Sequence, residues 1–64
     1  MTIRILVIDD HALVREGLRR AISTEKNLTV VGEAASKREA IAQISKHNPE
    51  VIVVDRSEEH TSEL

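Results

Sequence analysis

The 64-residue sequence contains no cysteine, which excludes both a disulfide framework and a thiolate metal site. It also contains no phenylalanine, tryptophan or tyrosine. The core must therefore be aliphatic, and nucleic-acid bases cannot stack on aromatic side chains. The chain is at most one small domain, and a domain of this size buries only about 60% of the surface of its unfolded chain. We therefore expect marginal stability.

The sequence has no excess of basic residues and no long apolar run. Its formal net charge is −2, and the surplus acids lie in residues 56–64, so residues 1–55 are neutral. This balance argues against a basic surface for nucleic acid. The N-terminal segment MTIRILVIDD is too short and too polar for a signal peptide or a membrane span. We expect a cytoplasmic protein that does not contact membranes.

Three apolar segments alternate with two amphipathic ones. The first and third, IRILVID and VIVV, are rich in branched aliphatic residues, as is typical of parallel strands buried on both faces. The segment NLTVVGEA predicts a strand over residues 28–33 between them. Apolar residues recur at helical spacing in DHALVREGLRRAIST and SKREAIAQISKHNP. The order β-α-β-α-β predicts an α/β fold with a parallel sheet and right-handed crossovers.

Polar residues and one glycine predict the details of the two helices. Asp10 lies where a side chain would cap the first helix. Ser36 and Glu39 have the spacing of a capping box for the second helix, and Asn48, which precedes a proline, would end it. Gly17 predicts close packing of the first helix on the sheet. Four polar residues of the second helix are expected to face water: Lys37, Arg38, Gln43 and Lys46.

Three aspartates follow predicted strands directly. Asp9 and Asp10 close the first strand, and Asp55 closes the third. In an open α/β sheet, ligands bind at the carboxyl ends of the strands, where the strand order reverses. A strand order of 2-1-3 would place strands one and three about 4.8 Å apart, and their acids would converge. An order of 1-2-3 would separate them.

Three converging carboxylates need a proton or a cation to offset their repulsion. Mg²⁺ prefers oxygen ligands and commonly binds one or two carboxylates together with phosphate oxygens. Beside such an ion a carboxylate can attack phosphorus and form an acyl phosphate. The pattern therefore predicts a phosphoryl-transfer site in which Asp55 is the nucleophile and Asp9 and Asp10 bind the metal.

Simpler interpretations exist for each residue taken alone. Asp10 could be only a helix cap, and Asp55 could be only a turn residue. Two adjacent acids at one strand end, however, cost free energy unless a ligand uses them, which favours function. The three histidines occur singly without metal-ligand spacing and are expected on the surface: His11, His47 and His60.

Three segments together resemble the receiver domain of bacterial two-component response regulators: RILVIDDHALVREGLRRAI, VVGEAASKREAIAQI and NPEVIVVD. The resemblance runs almost continuously from Ile3 to Asp55. It is nearest to the NarL/FixJ group, whose members usually join the receiver to a helix-turn-helix DNA-binding domain. An acid pair after strand one, with an aspartate closing strand three at this distance, is a specific signal.

The resemblance implies a truncated flavodoxin-like (CheY-like) fold with strand order 2-1-3. Asp55 matches the aspartate that a sensor histidine kinase phosphorylates. Asp10 matches a direct Mg²⁺ ligand, and Asp9 matches an acid that holds the ion largely through water. The backbone carbonyl of Ser57 would complete the metal site. The chain would be a phosphoacceptor and not an enzyme, and its parent protein would dimerise on phosphorylation and contact DNA only through an output domain.

The resemblance stops after Asp55, where the family usually has a short apolar-containing segment with a turn. Here the sequence is RSEEHTSEL, which resembles the translation of a sequencing-library adapter. A natural polar extension of a truncated gene is the alternative. We therefore expect a partial receiver domain in residues 1–55 and a non-native or disordered tail in residues 56–64. Because the later strands and helices of a receiver are missing, this piece is expected to be inactive alone.

Two other functions stay open. An aspartyl-phosphate phosphatase of the haloacid-dehalogenase type would also use an aspartate nucleophile. That family has an Asp-x-Asp motif after its first strand, whereas Asp9 and Asp10 are adjacent here. A degenerate receiver could act as an interaction module without phosphate, but the intact set of three acids speaks against it.

Overall fold

A computed structural model describes residues 1–54 of the chain. Strands and helices alternate in the predicted order: β1 (Ile3–Ile8), α1 (Ala12–Ser23), β2 (Leu28–Ala34), α2 (Lys37–His47) and β3 (Val51–Val54). Neither helix of this part of the chain is long and apolar enough to cross a membrane.

The three strands form one parallel sheet in the order β2-β1-β3. This order confirms the predicted truncated flavodoxin-like fold and excludes the order 1-2-3. β1 is the central strand, and its residues Ile5, Leu6 and Val7 are all buried. A register shift between Ile5 and Leu6 in the pairing with β2 leaves the last residue pair as Ile8 with Ala34.

The core within the described residues is small. Its buried apolar members are Ile5, Leu6, Val7, Ala34 and Ala40. α1 buries none of its residues completely, and its Leu13 is 85% exposed. On β3, Val51, Ile52 and Val54 are also exposed. The two helices therefore cover the sheet only partly, as expected for a sheet that continues in larger proteins of this architecture.

The N-terminus of α1 differs from the prediction that Asp10 caps it. The N-cap residue is His11, and its side chain makes no capping hydrogen bond. The acid pair explains the difference. The His11 backbone N–H donates to Asp9 Oδ1 at 2.7 Å, and the Asp10 carboxylate lies 2.8 Å from His11 Nδ1. Both carboxylates thus face His11.

The ends of α2 follow the prediction closely. Ser36 Oγ accepts a hydrogen bond from the Glu39 N–H at 3.2 Å. The Glu39 carboxylate accepts from the Ala35 N–H at 2.8 Å, one residue earlier than in the usual capping box. Asn48 adopts the left-handed conformation with φ 51° and ends the helix by donating its N–H to the Ile44 carbonyl. This geometry determines where the chain enters β3.

The two glycines, Gly17 and Gly32, differ in what surrounds them. A Cβ at Gly17 would meet no atom within 4 Å, so the prediction of close α1 packing there is wrong. At Gly32 in β2, a Cβ would lie 2.6 Å from Gln43 Oε1 and 3.1 Å from His47 Cδ2. Gln43 is half-buried against β2, so the prediction that it faces water is wrong. The missing side chain at Gly32 leaves room for it.

Arg4 determines where β3 starts relative to β1. Its N–H donates to Glu50 Oε1, and its carbonyl accepts the Glu50 N–H, both at 2.9 Å. The Arg4 guanidinium donates to the carbonyl of Asn48 at the end of α2. These bonds hold the segment before β3 against β1, so that β3 ends opposite Ile8.

Candidate functional site

The acid pair lies at the carboxyl end of the central strand. Asp9 is 4% exposed, although it is charged in its usual form. Its N–H donates to the Ala34 carbonyl at 3.0 Å, which extends the β1–β2 ladder by one residue. Its carbonyl accepts a hydrogen bond from Arg15 Nη1 at 2.6 Å. The backbone of Asp9 is therefore held from both sides.

The imidazole of His11 lies between the two carboxylates. Its Nδ1 is 3.1 Å from Asp9 Oδ1 and 2.8 Å from Asp10 Oδ1. The side chains of Asp10 and His11 are 59% and 60% exposed, whereas that of Asp9 is 2% exposed. We define the acidic cluster as Asp9, Asp10 and His11. It is buried at Asp9 and open to solvent at Asp10 and His11.

The acidic cluster has a donor set that fits a divalent cation. One ligand atom from each of its three members lies within 4.8 Å of the others. Two carboxylates are the hard oxygen donors that Mg²⁺ prefers, and an ion would offset their mutual repulsion. The residues present therefore fit the magnesium ion that the sequence predicts, with Asp9 and Asp10 as its holders.

His11 was not predicted as a member of this cluster. It follows the acids directly, without the spacing of three or four residues that marks metal ligands on a helix. Its contact with both acids arises because the chain turns between β1 and α1. The position of His11 in the sequence could have indicated this contact, because a residue that begins a helix directly after an acid pair lies in the same turn as the pair.

Asp55 and Ser57 lie outside the described residues. The structure does describe the approach of β3 to β1, which ends with Val54 paired to Ile8. In the sequence, Asp9 follows Ile8 directly and Asp55 follows Val54 directly. The described part of the chain therefore brings the strands that precede two of the predicted acids side by side.

A fourth carboxylate lies near this end of the sheet and was not predicted. Glu33, close to the end of β2, faces two arginines of α1. Arg15 Nε lies 3.3 Å from Glu33 Oε1, and Arg19 Nε lies 3.4 Å from Glu33 Oε2. These two cations offset the charge of Glu33 and tie α1 to β2. The spacing of the arginines, four residues apart on one helix face, is the signal that could have indicated a shared acid.

A cavity of about 370 Å³ opens beside the strand ends. It is lined by Ile8, Lys37, Ala40 and Val54. Three of these side chains are apolar and one carries a positive charge. This lining favours contact with apolar side chains more than with a phosphate group.

Comparison with known proteins gives a consistent set of matches. The sequence profile of the response regulator receiver domain matches residues 5–58. The response regulator protein VraR of Staphylococcus aureus, in strains Mu3 / ATCC 700698 and NCTC 8325 / PS 47, is 46% identical to this chain over 55 residues. The match covers 86% of this chain but 26% of the relative. The chain thus spans about a quarter of the length of these curated relatives.

Proposed function

Because the chain belongs to the response regulator receiver domain family, we propose that it is the phosphoacceptor part of a two-component signalling protein. In this proposal, Asp55 receives a phosphoryl group from a sensor histidine kinase, and Asp9 and Asp10 hold a magnesium ion beside it. The chain accepts the group and is not itself an enzyme.

One observation carries this proposal. β1 and β3 are direct neighbours in a parallel sheet, with Ile8 paired to Val54. Neighbouring strands lie about 4.8 Å apart, so we expect acids that follow them directly to lie within reach of one ion and one phosphoryl group. The position of Asp9 supports the proposal further, because it is buried at the carboxyl end of β1, on the edge of the sheet where open α/β folds bind ligands.

Four residues would hold the ion, and one of them would accept the phosphoryl group. Asp9 and Asp10 would hold the ion from the β1 side, and Asp55 and the carbonyl of Ser57 would hold it from the β3 side. When bound, Mg²⁺ offsets negative charge on the phosphoryl oxygens. A carboxylate oxygen of Asp55 attacks phosphorus and forms an acyl phosphate, while the bond from phosphorus to the donor imidazole nitrogen breaks. The imidazole keeps the bonding electron pair and leaves as a neutral group, because its other nitrogen carries a proton when the bond breaks.

The activity of the whole protein is part of the proposal. The curated relatives are about four times as long as the match, which leaves room for an output domain. We propose that phosphorylation in the complete gene product promotes dimerisation and controls a DNA-binding output domain in the cytoplasm. Because residues 1–54 contain only a small core, we expect the 64-residue chain to be inactive on its own.

The experiment that tests this function uses the complete gene product that carries these residues. It is incubated with acetyl phosphate and Mg²⁺, and both bound and released phosphate are followed over time. A receiver should accumulate bound phosphate that persists after the donor is removed. Rapid turnover to free phosphate would indicate a phosphatase, and no labelling would indicate a degenerate interaction module. Either of these results would overturn the proposal.

A further inference from the structure

Arg15 joins three elements beneath the acidic cluster. Its side chain starts on α1 and is 19% exposed. Nη1 donates to the Asp9 carbonyl at 2.6 Å, and Nε donates to Glu33 Oε1 on β2 at 3.3 Å. One planar guanidinium thus binds the end of β1 and the end of β2 at once, which a single ammonium group does less well.

The bond to the Asp9 carbonyl bears on the position of Asp10. The peptide unit between these residues is planar, so a bond that orients the Asp9 carbonyl also orients the N–H and Cα of Asp10. The Asp9 N–H is already bonded to Ala34, and its Oδ1 accepts from His11. The Asp10 side chain projects into solvent at 59% exposure. The direction of this peptide unit therefore determines whether the two carboxylates can face one ion.

We propose that Arg15 is a positioning residue for the magnesium site, because it holds the peptide between Asp9 and Asp10 in the direction that lets both acids meet the ion. This inference rests on the proposed function and adds a residue outside the acid set. Glu33 supports this role of Arg15 by accepting a hydrogen bond from Nε of the same guanidinium.

Arg19 offers a matched control that tests whether Arg15 only ties α1 to β2. It lies on the same helix, pairs with the same Glu33 at 3.4 Å and also pairs with Glu16 at 3.5 Å. Replacing Arg19 by Met therefore removes one positive charge and one ion pair to β2, as Arg15→Met does. If Arg15 only ties α1 to β2, the two substitutions should have the same effect on metal binding.

Charge and position have opposite effects in this experiment. Removing a positive charge near a cation site should strengthen cation binding by Coulomb's law. Losing the orientation of the Asp9–Asp10 peptide should weaken it. Groups that orient metal ligands without touching the metal typically change metal affinity by about 10- to 100-fold when they are replaced. The direction of the change therefore separates the two roles of Arg15.

The test measures Mg²⁺ affinity by titration calorimetry in the complete gene product, with Mn²⁺ as a spectroscopic probe of the same site. We expect Arg15→Met to weaken binding by about 10-fold or more. Arg19→Met should change it by less than about twofold, and Arg15→Lys should recover part of the loss, because a lysine keeps one donor and the charge. Thermal unfolding of each variant, followed by circular dichroism, reports the fraction folded at the titration temperature.

Each result has a defined meaning. Unchanged or tighter binding by Arg15→Met overturns the positioning role, and so does an equal loss in both Met variants. If Arg15→Met does not fold, Arg15→Lys decides, and an affinity equal to that of the unmodified protein overturns the inference. If the unmodified protein binds no Mg²⁺, the proposed function fails first. Phosphate labelling with intact Mg²⁺ affinity in Arg15→Met would retain the proposed function and reject the role of Arg15 alone.

Discussion

Replacing Asp10 by asparagine should stabilise the protein without Mg²⁺ and destabilise it with Mg²⁺, relative to the unmodified protein. The substitution keeps the shape of the side chain and removes one of two adjacent charges. The ligand atoms of Asp9 and Asp10 lie within 4.8 Å of each other. At that separation, Coulomb repulsion is about 0.9 kcal/mol in water and about 3.5 kcal/mol at an effective dielectric constant of 20.

Solvent decides which of these values applies when no metal is bound. Asp10 is 59% exposed, so screening favours the lower value, and the nearby imidazole of His11 offsets part of the repulsion. We therefore expect Asp10→Asn to raise the free energy of unfolding by about 0.5–1 kcal/mol in the presence of a chelator. This value is the relief of repulsion from Asp9 minus the attraction to His11 that Asp10 loses.

Added Mg²⁺ should reverse the order of stability. A ligand that binds only the folded state at 100 times its dissociation constant adds about 2.7 kcal/mol to the free energy of unfolding. The unmodified protein should gain this amount, and Asp10→Asn should gain little because it has lost a direct ligand. The variant should then be less stable than the unmodified protein by about 2 kcal/mol.

Urea unfolding of the complete gene product, followed by far-ultraviolet circular dichroism, measures both differences. Glu25→Gln is the matched control, since it removes the same charge from the turn between α1 and β2, at the opposite end of the sheet. The control should shift stability equally with and without the ion. If Asp10→Asn also shows one constant difference in both conditions, the acidic cluster does not bind Mg²⁺ through Asp10 and the reasoning is refuted.

Two further predictions concern packing. Gly32→Ala should cost about 1–3 kcal/mol in chemical unfolding, because its Cβ would lie 3.1 Å from His47 Cδ2 and 3.2 Å from Leu6 Cδ1. Gly17→Ala should instead stabilise by about 0.5–1 kcal/mol, since that helical position is open, and equal losses at both glycines would contradict the packing described. The isolated 64-residue chain should be molten or aggregate through the exposed apolar β3, and a cooperative thermal transition in a monomeric sample would contradict this.

The sequence predicted the elements well because their signals are local and strong. The continuous aliphatic run of β1 is what a strand buried on both faces requires, and Ile5, Leu6 and Val7 are indeed buried. The Ser36 cap was predictable because its spacing to Glu39 encodes the hydrogen bond itself. The strand order 2-1-3 could not be predicted from local signals. Periodicity does not determine which strand lies beside β1, so that prediction depended on the family resemblance.

The errors arose where a contact depends on distance in three dimensions. Gly17 and Gly32 look alike in the sequence, but only Gly32 faces a neighbouring helix at close range. Asp10 is of a residue type that commonly caps helices, yet the turn after β1 places its carboxylate beside His11. The bond from Arg15 to the Asp9 carbonyl involves a backbone acceptor, which no pattern of side chains reveals.

The most direct test of the central claim identifies the residue that carries the phosphoryl group. The complete gene product is treated with acetyl phosphate and Mg²⁺, reduced with borohydride to trap an acyl phosphate, digested and mapped by mass spectrometry. The account predicts modification of Asp55 that disappears in Asp55→Asn and when Mg²⁺ is chelated. Modification at another residue, or undiminished labelling of Asp55→Asn, would contradict it.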